Sequence, residues 1–361
     1  MAQIIWTAAV VLLAILQSTR GMTLKGYNGS MTNSLEVSWA NASQLIDQEY
    51  IDVNRTVYIY VHGFGGNETT QGTDQFIQAT INKGDRVVLV NWSEEAAFPD
   101  YFRAAKNTAI VGPQLGEALL ILTASGLPIG NIVLVGMSLG AHVCGQAGYY
   151  VQIHLGTSVP LIVGLDAAKE LFEPKNNIYR SIKRTDAIHV IGCHSDWLRF
   201  GMMSPYGTHD FFFNVVSYTL LGYQPGCGLV NTVLKPITAL QTLNFNAIIF
   251  CSHRRMVSLW VEVVQYMCTM IGNQASSSVD WVARGGSPIN LTCLSYNATQ
   301  RNFAALPRSR GHAATVGTIR PWTQRWGAHS RIAASETHHQ WTPATINADR
   351  VMGLLEGKLP V

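Results

Sequence analysis

The sequence predicts an α/β fold: a mostly parallel central sheet flanked by helices on both faces. Two observations point there. Short runs of nearly continuous apolar residues, Thr56–Val61, Arg86–Val90, Ile132–Val135 and Val159–Leu165, alternate with longer segments of helical spacing, as strands buried on both sides by crossover helices do. Three of those runs end in residues that carry chemistry, His62-Gly-Phe64, Ser138 and Asp166. In such a sheet the ligand sits beyond the carboxyl ends of the strands, so these three ends are expected to converge on one edge.

Composition agrees with one sizeable core: 361 residues, 47% hydrophobic and only 13% charged. The net charge of +3 is small, and basic residues do not interleave with aromatics, so no nucleic-acid partner is expected. Ile4–Leu16 is an apolar run of thirteen broken by Thr7 and followed by Gln17-Ser-Thr-Arg20-Gly21. It is too short to span a bilayer comfortably, so residues 1–21 are read as a signal peptide with no stable transmembrane anchor and the protein as secreted. Sequons at Asn28, Asn41, Asn54, Asn67, Asn91, Asn290 and Asn297 suit that route, although Asn91 ends an apolar strand. Six cysteines, 144, 193, 227, 251, 268 and 293, form an even set for an oxidising compartment, with connectivity left open by counting.

In chain order, 22–54 is mixed and polar, with a short strand around Leu35–Trp39. Thr56–Val61 is a strand by β-branched and aromatic content, and it ends in His62-Gly63-Phe64-Gly65-Gly66. Phe76, Ile77 and Ile81 give Thr73–Ile81 helical spacing, and Arg86–Val90 is the next strand. Ala105, Ile110, Val111, Leu115, Leu119 and Leu122 make 101–125 helical, with Pro113 expected to kink or divide it. Strands at Ile132–Val135, Val159–Leu165 and Ala187–Ile191 follow.

Gly136-Met-Ser138-Leu-Gly140 fits the G-x-S-x-G turn, in which glycines let strand and helix backbones crowd around one raised serine. A serine hydroxyl needs an adjacent imidazole to accept its proton, and the imidazole needs a carboxylate. In this fold the order is serine, acid, histidine, so Asp166 is the expected acid. Among His189, His194, His209, His253 and those of the tail, His253 is chosen. It lies in an expected loop between an apolar run and a helix-like Met256–Val264, whereas His189 sits inside a strand. Cys251 and His253 lack a second pair at zinc spacing, so no metal is expected. The amide of Leu139, one past the nucleophile, and that of Phe64 are the expected oxyanion donors.

Taken together, His62-Gly-Phe64, Gly136-Met-Ser-Leu-Gly-Ala-His142, Gly164-Leu-Asp-Ala-Ala168, Gln224-Pro-Gly-Cys227 and Cys251-Ser-His253-Arg254 resemble the pancreatic lipase family over roughly residues 55 to 270. The resemblance implies a secreted α/β-hydrolase that cleaves carboxylic esters of lipids, with its lipase domain over 22–300. It also implies Ser138 as nucleophile, Asp166 as acid, His253 as base, and Phe64 and Leu139 as oxyanion donors. A disulfide between Cys227 and Cys251 at the base of a lid, 227–251, and a further bridge between Cys268 and Cys293 are implied as well. The lid loop is rich in Leu, Val, Ile and Phe; it could cover an apolar cleft and open at a lipid–water interface, or pack as core. In the family that the sequence resembles, long lids go with triacylglycerol lipases and short ones with phospholipases A1, so the resemblance implies triacylglycerol as the favoured substrate, with phospholipase A1 as the alternative. A non-catalytic lipid-binding or yolk-type storage role is the reading of another class.

Met137 and Ala167 depart from the histidine and proline often found there, and Lys183 stands near the position where some members place a calcium-binding carboxylate. No structural calcium and no cofactor are therefore expected. Cys144 and Cys193 could pair or remain buried thiols. Beyond residue 300 the resemblance ends. Residues 301–361 hold seven arginines between Arg301 and Arg350 and little periodicity, which reads as a poorly ordered tail or a contact for an anionic surface. The sequence does not indicate protein partners.

Overall fold

The computed structural model describes residues 21–70, 72–175, 177–213, 223–224, 227, 250–265, 270–275, 287–294 and 315–317. Strands β1 (Thr23–Tyr27) and β2 (Ser34–Ser38) precede a short helix α1 (Gln44–Asp47), then β3 (Val57–Val61), α2 (Thr73–Asn82), β4 (Arg86–Asn91), α3 (Tyr101–Ala124), β5 (Ile132–Met137) and α4 (Leu139–Leu155). After them come β6 (Leu161–Leu165), β7 (His189–His194), β8 (His209–Phe212), α5 (Cys251–Gln265), β9 (Met270–Ala275), β10 (Ser287–Leu294) and β11 (Thr315–Gly317).

The strands form one sheet in the order β10-β9-β11-β8-β7-β6-β5-β3-β4-β1-β2. Pairings from β4 through β3, β5, β6, β7 and β8 to β11 are parallel, and those of β1, β2, β9 and β10 are antiparallel. Every residue of β3, β5 and β6 is buried, as a strand covered on both faces requires. Alternate residues serve the two faces. Val57, Ile59 and Val61 join the core under α3 and α4, whereas Tyr58 and Tyr60 join the one under α2 and α5. From β3 the chain crosses to β4 on one side and returns to β5 on the other, which makes the carboxyl ends of β3 and β5 the switch point where ligands bind.

Pro113 does not divide α3, which runs 24 residues from an Asp100 cap whose side chain accepts from the Arg103 amide at 2.9 Å. The proline sits at the half-exposed margin, and the buried face of Ala105, Thr108, Val111, Leu115, Leu119 and Leu122 continues past it. Packing of that face outweighs one lost backbone bond. The sequence reading placed no strand at Thr23–Tyr27 or at His209–Phe212; both mix polar residues into the strand and form by pairing with β4 and β7. No helix among the described residues is long and apolar enough to cross a membrane. Of the segment 301–361, the described residues are Thr315–Gly317, paired between β8 and β9.

Candidate active site

Ser138 stands between the end of β5 and the start of α4 with φ 56° and ψ −120°, a backbone strained for a residue with a Cβ. The glycines on either side make that turn possible. A Cβ at Gly136 would lie 2.4 Å from the Gly140 carbonyl oxygen, and one at Gly140 would lie 2.2 Å from the Val61 carbonyl oxygen. Strand, turn and helix therefore pack backbone to backbone. Ser138 N–H donates to the Leu165 carbonyl at 3.0 Å, tying the serine to the end of β6.

Asp166 follows β6 directly, fully buried, with φ 49°. Its Oδ1 accepts from the Ser195 amide at 2.6 Å and the Asp196 amide at 3.0 Å, and its Oδ2 lies 2.6 Å from His253 Nδ1. Two backbone donors thus fix the carboxylate: Ser195 N–H holds Oδ1 alone, Asp196 N–H is shared between Oδ1 and Oδ2, the latter at 3.1 Å, and Oδ2 also meets the imidazole. Here the structure corrects one local expectation. His253 lies inside α5, which begins at Cys251, rather than in a loop ahead of Met256. The helix start is held by tertiary contacts, since Ser252 Oγ accepts from the Gln224 amide at 3.0 Å and Cys251 is bonded to Cys227, with Cα atoms 5.6 Å apart. Gln224 in turn donates from Nε2 to the carbonyls of Ser195 and Phe213, joining the acid's loop to the histidine's helix.

Ser138, His253 and Phe64 line one cavity of about 660 Å³, together with Tyr60, Phe98, Tyr101, Met137, Phe200, Phe250 and Val257. Leu139 follows Ser138 directly and is the first residue of α4. Phe64 follows β3 and packs against Tyr101 at 5.3 Å and Phe98 at 5.8 Å between ring centroids. His62 stacks on Trp92 at 5.7 Å, and its carbonyl accepts from Trp92 Nε1 at 2.9 Å. Burial pushes the His62 imidazole down to about 4. A neutral ring with the proton on Nδ1 donates to the Gly63 carbonyl at 2.9 Å and accepts at Nε2 from the Trp92 amide at 3.4 Å. The Phe64 loop is pinned to β4 in this way.

The other histidines have separate work. His194 Nε2 meets Asp210 Oδ1 at 2.9 Å in a buried pair stacked on Phe212, and His189 begins β7 beside His209. His142 stacks on Phe172 at 3.8 Å, with Nε2 2.8 Å from the Ala168 carbonyl and Nδ1 accepting from the Ile182 amide at 3.2 Å. Cys144 and Cys193 are buried free thiols. They belong to cores on opposite faces of the sheet, so they cannot meet. Cys268 is outside the described residues, and so are the tail histidines and residues 228–249 of the lid. Beside Lys183, the buried Asp186 carboxylate accepts from Arg180 Nη2 at 2.5 Å and the Lys183 amide at 2.7 Å. A guanidinium already holds that carboxylate, so the loop does not fit a calcium ion. Sequence reasoning missed the Ser195 and Asp196 amides, because backbone donors leave no residue-type signal, and the cavity residues Arg199, Arg254 and Glu170.

Comparison with known proteins follows the same line. A family model described as Lipase matches residues 27–300. Phospholipase A1 of Vespa crabro is 34% identical over 235 residues, covering 62% of this chain and 70% of that protein. Phospholipase A1 member A of Bos taurus is 27% identical over 227 residues, and the chain spans 45% of its length. Among solved structures, alpha/beta hydrolase domain-containing protein 10 from mouse overlaps 31% of this chain and 41% of that one at 15% identity, with a TM-score of 0.21. That overlap is too slight to carry an argument, and the fold rests on the strand order and the turn at Ser138. The chain belongs to the Lipase family and is a serine hydrolase of carboxylic esters on an α/β-hydrolase fold.

Proposed function

We propose that Ser138, Asp166 and His253 hydrolyse acyl esters of glycerolipids through an acyl-enzyme, with the Phe64 and Leu139 amides as oxyanion donors. The observation that carries this reading is the 2.6 Å bond from His253 Nδ1 to a carboxylate already fixed by two amides, in a cavity that His253 shares with the strained Ser138. With its proton on Nδ1, the imidazole presents Nε2 as a base. It accepts the Ser138 proton as Oγ attacks the ester carbonyl, and returns it to the leaving alkoxide. Water then attacks the acyl-enzyme by the same route in reverse. Each amide aimed at the tetrahedral oxyanion contributes about 3 kcal/mol of transition-state stabilisation.

For the alcohol part of the substrate, we favour a glycerophospholipid, and hence phospholipase A1 activity by a secreted protein. The wasp and bovine relatives are named phospholipase A1. Triacylglycerol is the second reading, favoured by the long apolar segment between Cys227 and Cys251. Fatty-acid release from phosphatidylcholine vesicles and from emulsified triacylglycerol, side by side with Ser138→Ala as control, tests both. Release from phosphatidylcholine above triacylglycerol supports the first reading, the reverse supports the second, and release that survives Ser138→Ala refutes the mechanism.

A further inference from the structure

Among the described residues, three charged side chains outside the triad line the cavity: Arg199, Glu170 and Arg254. Arg199 is already matched. Its Nε donates to Asp196 Oδ1 at 3.1 Å, its Nη2 to Ser252 Oγ at 3.3 Å, and its guanidinium lies over the Tyr223 ring at 4.3 Å. Glu170 is exposed, so water screens its carboxylate, and its carbonyl accepts from the Tyr101 hydroxyl at 3.1 Å. Arg254 differs from both. It follows His253 in α5, it is partly buried, and its guanidinium lies 5.8 Å from the centroid of the Phe250 ring. Among the described residues it has no carboxylate within ion-pair distance.

A guanidinium drawn out of water without an anion costs free energy that a ligand anion recovers. Burial indeed works against the Arg254 charge, pulling its pKa below the usual arginine value. A neutral glyceride offers such a group nothing. A phosphodiester offers two oxygens to its planar fork.

We propose that Arg254 is the specificity-determining residue of the cleft, binding the phosphodiester of a glycerophospholipid whose acyl ester lies at Ser138. The proposal rests on the ester-hydrolase reading of the same cavity, but its test does not need turnover. In the Ser138→Ala protein, binding of the short-chain, monomeric dihexanoylphosphatidylcholine is compared with that of dihexanoylglycerol by calorimetry, with and without Arg254→Gln. Losing a charge-assisted bond is expected to weaken the phospholipid about tenfold more than the diacylglycerol. Arg254→Lys is expected to restore part of the difference, since a point charge replaces the fork. Arg255→Gln, which removes an equal charge from an exposed neighbour outside the cavity lining, is expected to keep the original ratio.

Equal weakening of both ligands by Arg254→Gln, or an equal effect of Arg255→Gln, overturns the proposal. Should Arg254→Gln fail to fold, the Ser138→Ala protein with Arg254 intact still decides: rising salt must weaken the phospholipid and spare the diacylglycerol, and parallel behaviour overturns the inference. If phosphatidylcholine binds in this Arg254-dependent way yet no ester is cleaved by the unmodified chain, the catalytic reading fails and the recognition reading stands.

Discussion

Asp166→Asn is the substitution that most sharply separates orientation of the histidine from mere shape. Asp166 Oδ1 is held by two amides, Ser195 N–H at 2.6 Å and Asp196 N–H at 3.0 Å, while Oδ2 faces His253 Nδ1 at 2.6 Å. An asparagine has one oxygen and one NH₂; Ser195 N–H donates to Oδ1 alone and Asp196 N–H to Oδ1 and, at 3.1 Å, to Oδ2, so the oxygen is favoured at the Oδ1 position, where it accepts from both. The NH₂ is then left facing His253, where a donor meets a donor unless the imidazole moves its proton from Nδ1 to Nε2. That tautomer cannot take the Ser138 proton. The expected loss in kcat is about 10⁴-fold, or roughly 5.5 kcal/mol of transition-state stabilisation. Fold should change little, because the shape and both amide bonds to the Oδ1 position remain. The assay is steady-state hydrolysis of a soluble p-nitrophenyl ester, with thermal unfolding measured in parallel. A fall of less than tenfold in a folded protein would refute the tautomer argument.

Other substitutions probe the frame around the site. Gly140→Ala places a Cβ 2.2 Å from the Val61 carbonyl and 2.6 Å from that of His62; neither backbone can yield cheaply, so a loss of about 3 kcal/mol or more is expected in urea unfolding. Removing the Cys227–Cys251 bridge by paired serines frees a loop closed across 24 positions, and chain entropy alone predicts about 3 kcal/mol lost, read as a lower unfolding midpoint. Acid should also act through the buried histidines: burial lowers His62 to about 4 and His142 to about 3, against an ordinary 6.5. Both are neutral when folded and take up protons more readily when unfolded. Their contribution is therefore complete above pH 6.5 and declines as pH falls toward 4 and 3, by roughly 3 kcal/mol for His62. Denaturant titrations across that range should show stability falling with acidity, and a flat profile would contradict the burial argument.

The parts of the site legible in sequence are those that local chemistry dictates. Ser138 could be read because a turn that tight needs glycines at 136 and 140, and Asp166 because a carboxylate ending a buried strand faces the ligand edge. Phe64 followed from glycines after β3. Chain order set the candidates and an expected loop position picked His253 among them, yet the helix that carries it begins at Cys251 and not at Met256, because its start depends on Gln224 and Cys227, far away in sequence. Backbone donors such as Ser195 and Asp196 were invisible, since any residue type supplies an amide. Strands β1 and β8 lack an apolar run, with Lys25 and Gly26 in one and His209 and Asp210 in the other, and exist through register with β4 and β7. The open question of Cys144 and Cys193 was one of faces, which only the assembled sheet decides.

The most direct measurement is reaction of the folded protein with a fluorophosphonate, followed by mass mapping of the adduct. Modification confined to Ser138, lost in Ser138→Ala and strongly slowed in His253→Ala, is the expected result. An unlabelled Ser138 in folded protein, or labelling at the same rate without His253, would contradict a serine activated by the His253–Asp166 pair.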